Sequence, residues 1–177
     1  MKRRDKRGQF YLIAAIIISV IILGLMTMSN YSRRQESIKT ETIGEELKIE
    51  SEKVLDFGTY HGYSESQIGD LMKNFSRDYI NYVQQGVDFY FLFGNSNKVT
   101  FVGYSQLDVT IYVNVGSGKS AINLNNREIV SQEFTPTSDN ITITIEETDY
   151  DFELKKGQNF YFVVSQDIEG EKHVVKN

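Results

Sequence analysis

Between Gly8 and Ser32 the chain carries no charged residue, and from Phe10 to Met28 only Ser19 and Thr27 interrupt an apolar run. A helix of about 19 such residues rises about 28 Å, close to the ~30 Å hydrocarbon thickness of a bilayer. A helix of that length on a soluble core would keep a polar stripe, and this one keeps none. The run therefore predicts a transmembrane helix over residues 9–30. A cleaved secretory signal fits less well. Its apolar core spans only about 7–15 residues and ends in a small-x-small site, which Leu25-Met26-Thr27-Met28-Ser29 does not provide.

Charge sets the direction of insertion. Lys2, Arg3, Arg4, Lys6 and Arg7 against Asp5 give residues 1–8 a net charge of +4, which leaves −9 on the remainder of a chain whose total is −5. Basic residues stay on the cytoplasmic side. The expectation is a single-pass protein of the cell membrane with its N-terminus in the cytoplasm and residues 33–177 outside. Arg33 and Arg34 follow the run but are soon offset by Glu36, Glu41, Glu45 and Glu46. An acidic exterior repels phosphates, so nucleic acid is not an expected partner; the lipid bilayer is.

The order of features at the start is more specific than their composition. Lys6-Arg7-Gly8-Gln9-Phe10 places the basic residues and the glycine directly before the apolar run. This string resembles the class III signal of type IV pilin-like proteins, in particular the archaeal ones. The resemblance covers only about the first 28 residues. It implies a prepilin-type peptidase as a partner, cutting after Gly8 so that Gln9 becomes the new N-terminus, with the apolar helix kept in the mature protein. It also implies self-association through that helix, or association with other envelope proteins. Bacterial type IV pilins carry a glutamate at the fifth mature position, where this chain has Ile13, so the likeness is to the archaeal form. The competing reading is an uncleaved anchor with a basic tail, carrying a module that recognises a surface glycan or envelope protein.

Beyond the run, SRRQESIKTETIGEELKIESEKVLDF contains good helix formers and no proline. Ile43, Leu47, Val54 and Phe57 give it a weak apolar face. Residues 31–58 read either as a helical stalk continuing the first helix, with a bend near Gly44, or as a short solvated stalk with a separate helix. The segment 59–177 reads as an extracellular domain of one helix plus strands. Ser64 and Gln67 have capping-box spacing. Ile68, Leu71, Met72, Phe75, Tyr79, Tyr82 and Val83 then mark one helical face, and Gly86 a stop.

After Gly86 strand patterns dominate: DFYFLF, KVTFVGY, LDVTIYVNV, SAINLN, EIVSQEF, NITITIE, YDFEL and NFYFVVS. The first two flank a turn at Gly94–Asn97, and Leu107, Val109, Ile111, Val113 and Val115 alternate on one face. The predicted fold class is α+β: a transmembrane helix, an amphipathic helical stretch, and an antiparallel β-sandwich or partly open barrel under one covering helix.

Little in the chain points to catalysis. It has no cysteine, so thiolate chemistry is excluded. Gly116-Ser117-Gly118-Lys119-Ser120 lacks the earlier glycine of a phosphate loop, since Val113 stands there, and strand rather than helix follows. His61 and His173 are the only histidines and are far apart. Glu146, Glu147, Asp149, Asp151 and Glu153 cluster without the tight glycine turn of a calcium loop and read as a solvated strand edge. No catalytic, cofactor or metal residue is assigned, and no enzyme activity is expected. Asn30, Asn74 and Asn140 each begin an Asn-x-Ser/Thr glycosylation pattern; Asn140, in a turn, is the best presented, and Asn74 falls mid-helix.

Overall fold

The structure is a computed structural model that describes residues 7–83, 86–168 and 170–177, with side chains described at 15–27 and from 39 onward. The protein is α+β. Helices α1 (Arg7–Tyr60) and α2 (Glu65–Val83) precede nine strands, β1 (Asp88–Gly94), β2 (Val99–Tyr104), β3 (Val109–Asn114), β4 (Lys119–Leu124), β5 (Ile129–Phe134), β6 (Asn140–Ile145), β7 (Thr148–Glu153), β8 (Asn159–Ile168) and β9 (Glu171–Lys176). The chain divides into two compact units, Met1–Lys39 and Thr40–Asn177.

The second unit contains two antiparallel sheets, in the orders β5-β2-β1-β8-β9 and β4-β3-β6-β7. Their facing side chains, among them Tyr90, Leu92, Phe101, Ile111, Val113, Ile143 and Val163, form one apolar cluster between the sheets, as in a sandwich. The five-stranded sheet is also covered on its other face. There Phe89, Phe91, Phe93, Phe160, Phe162 and Val164 meet Ile43 and Leu47 of α1 and Ile68, Met72, Tyr79 and Ile80 of α2. Burial on both faces explains why DFYFLF and NFYFVV are unbroken apolar runs, while NITITI in the one-sided sheet alternates.

Two helical stretches rather than one therefore cover the sheet. Residues 40–55, within the segment 31–58 expected as a stalk, pack on it through Ile43, Leu47, Val54 and Leu55, with Leu47 fully buried. Gly44 lies inside the continuous helix α1. A Cβ built there would stand 2.5 Å from Val175 Cγ1, so the absence of a side chain lets the helix lie close to β9 at this point. Helix α2 begins as its sequence predicts: Ser64 N donates to Gln67 Oε1 at 2.9 Å, and Gln67 N to Ser64 Oγ at 3.4 Å.

Several facing assignments are corrected by burial. Tyr82 is 78% exposed, while Ser76 and Ile80 lie on the buried face of α2. Leu107 is 72% exposed because it sits in the turn before β3. Phe57 is 48% exposed and takes no part in the core cluster. Strand β9 follows the Gly170 turn and pairs with β8.

Candidate functional site

Residues 15–27 of α1 form more than three helical turns, and every one is exposed. The large apolar side chains from Ile16 to Met26 are each 47–63% exposed, distributed all round the helix rather than on one face. Leaving contiguous apolar surface of this extent in water is unfavourable, and such surface marks an interaction with another apolar body. The two hydroxyls do not spoil it. Ser19 Oγ donates to Ala15 O and Thr27 Oγ1 to Leu23 O, both at 2.8 Å, so each is satisfied within the helix. The segment thus presents no unsatisfied side-chain donor, which is what a non-aqueous surrounding requires.

Thirteen residues rise only about 20 Å, against ~30 Å for a hydrocarbon core. Among the described residues no helix is long and apolar enough to cross a membrane. The side chains of the rest of the predicted 9–30 span lie outside the described residues, as does the basic tail through Lys6. The backbone of Gly8 and Gln9 falls in the first turn of α1, while the side chains of Gln9 and Asn30 are likewise outside the described set.

The other sequence candidates are dispersed. Asn140 is exposed at the start of β6, and Thr142 of its tripeptide donates to Asp151 Oδ1 at 2.7 Å. Asn74 is exposed on α2, but Ser76 of its tripeptide is fully buried and donates to Met72 O at 2.9 Å. Residues 115–118 form the β3–β4 hairpin turn and Lys119 opens β4, with Gly116 and Gly118 at φ of 96° and 122°. His61 lies between α1 and α2, and His173 in β9. Among the described residues no cluster of three or more His, Asp or Glu side chains could hold a metal ion. The acidic string falls in the β6–β7 turn and on β7, an edge strand. An open groove of about 220 Å³ between α2 and the β1–β2 turn carries Lys73, Asp70 and the Lys98–Glu133 bridge (2.9 Å), which gives it mixed charge and no convergent chemistry.

One polar corner has no signature in the sequence. Asp88 Oδ1 accepts Gln106 N–H at 2.7 Å. Burial pushes the Asp88 carboxyl above its ordinary 3.8, against partial relief from hydrogen bonds of Gln106 and Ser105. Tyr90 beside it is raised by burial and then by the Asp88 charge. Ser165 Oγ, opposite Asp88 in the β1–β8 register, is buried with no hydrogen-bond partner among the described residues. Lys172 Nζ reaches Glu146 Oε2 at 2.6 Å, joining β9 of one sheet to the β6–β7 turn of the other. Asp88, Ser105, Glu146 and Lys172 are brought to one end of the sandwich only by strand order.

Comparison with protein-family profiles, curated proteins and solved structures returned no match for this chain.

Proposed function

We propose that this protein is a membrane-anchored structural protein of the cell surface, of the type IV pilin-like kind, held by its N-terminal helix and able to assemble through it. The observation that carries this reading is the apolar, all-round exposed segment 15–27, whose hydroxyls are both satisfied internally. Together with the charge-free run from Gly8 to Ser32, it gives a helix suited to lipid or to identical helices. The β-rich unit then stands on the outer side. Residues 1–8 are the leader, Gly8–Gln9 the peptidase junction, and no step of catalysis is assigned to the chain.

The decisive experiment is the N-terminus of native protein extracted from membranes, read by peptide mass spectrometry because an N-terminal glutamine can cyclise. A chain beginning at Gln9, with or without cyclisation, supports prepilin-type processing. A chain beginning at Met1 overturns it and leaves the uncleaved, anchored binding module.

A further inference from the structure

The connection between α1 and α2 carries a cluster of exposed rings that neither the anchor nor the apolar core uses. Phe57 and His61 have ring centroids 4.1 Å apart. Tyr63 meets Phe57 edge-on at 6.0 Å, and Tyr60 meets His61 at 5.4 Å. Phe57, Tyr60 and Tyr63 are 48%, 89% and 37% exposed.

The backbone beneath the rings is fixed. Gly62 N donates to Thr59 O and Tyr63 N to Gly58 O, each at 3.0 Å, with Gly62 at φ 66°, the pattern of a Schellman helix end. His61 Nδ1 lies 2.8 Å from Phe57 O, which makes it the protonated nitrogen and holds the ring beside Phe57. The platform is thus set before anything binds.

Its electrostatics have one sign. The negative end of the α1 dipole lies here, and the last turn contains no basic residue to offset it. Asp56 occupies the same face as Tyr60, four residues on. Glu52 and Glu65 flank the cluster in sequence, and Lys53, four residues before Phe57, is bridged to Glu50 at 2.9 Å. Ring faces are themselves negative and attract cations. An aromatic patch set in negative potential complements a positive charge. A neutral sugar would use the rings and leave the surrounding charge without a role, and an anionic surface would be repelled.

The geometry points to this tip as a docking site for a basic segment of a partner protein, taking an arginine or lysine side chain over Tyr60 and Phe57 with Asp56 as its counter-ion. The site does not depend on cleavage at Gly8 or on assembly through α1.

The test is calorimetric titration of the full chain, in nonionic detergent, with hexa-arginine and in parallel with a neutral hexasaccharide. Hexa-arginine is expected to bind, to weaken as salt rises, and to lose roughly threefold in affinity on Tyr60→Ala and a similar factor on Asp56→Asn. Asp149→Asn on the β7 edge serves as a charge control and is expected to leave the affinity unchanged. Retention of full affinity in Tyr60→Ala and Asp56→Asn would assign the binding to diffuse surface charge and overturn the proposal. Binding of the hexasaccharide in place of hexa-arginine, or binding of neither, overturns it as well.

Discussion

Thr40 Oγ1 donates a 2.7 Å hydrogen bond to Gln166 Oε1, with Thr40 1% and Gln166 8% exposed. It joins the first residue of the β-rich unit to β8, the strand next to the centre of the larger sheet. Thr40→Val keeps the shape and removes the donor. The expected cost is about 1–3 kcal/mol, the range for a buried polar group losing its partner. A urea midpoint of Thr40→Val equal to that of wild type would show that this contact is energetically idle, and Thr40→Ser should recover most of the loss.

Gly44 tests the packing beside it. On an exposed helix, Gly→Ala gains up to about 1 kcal/mol. Here the new methyl meets Val175 Cγ1 at 2.5 Å, and forcing it in should cost about 1–3 kcal/mol. Gly44→Ala is expected to lower the urea midpoint, and adding Val175→Ala to restore it. A stabilised single variant would mean that β9 gives way at no cost.

Asp88 predicts a pH dependence. Its native pKa is raised above 3.8, so the folded chain keeps this proton at pH values where the unfolded chain has lost it. The resulting stabilisation is complete below about 3.8 and falls as pH rises through the native pKa. Asp88→Asn retains an oxygen for Gln106 N–H and cannot ionise, so it should be the more stable form at neutral pH, with the difference shrinking toward acid. Denaturation curves of both proteins from pH 3 to 7 measure this; parallel pH profiles would refute it.

The apolar segment can be tested without disturbing the fold behind it. Ile18→Lys with Ile21→Lys places two charges in the middle of the run, each costing about 3 kcal/mol in a bilayer. The doubly substituted protein is expected in the soluble fraction of lysed cells, with the thermal unfolding of its β-rich unit unchanged. Continued membrane association would argue that another part of the chain holds it there.

Features set by sequence neighbours are legible in the chain, and those set by distant positions are not. The Ser64–Gln67 cap, the apolar face through Ile68 and Met72, and the eight strand patterns after Gly86 depend on neighbours in sequence. Strand β9 carries no strand signature because Glu-Lys-His-Val-Val-Lys is polar, as suits an edge strand open to water on one side. The helix 40–60 reads as a stalk because its buried positions mix Ile43 and Leu47 with the polar Thr40 and Ser51 and with Gly44, so the apolar pattern is thin. The Asp88 corner joins positions 88, 105, 146 and 172, whose proximity follows from sheet order and from no spacing in the chain.

The order of the larger sheet also decides when the chain can fold. Its centre is β1, paired on one side with β8, so Asp88 waits for Ser165, seventy-seven positions later. Until β8 has been synthesised, the apolar faces of β1 and the helices lack the strand that completes their common layer. Closing so long a loop is slow and cannot be rewarded piecemeal. A chain growing from its N-terminus therefore keeps the central strand of its larger sheet half-paired until β8 emerges, and for that time the aromatic side chains of β1 have no completed layer to enter.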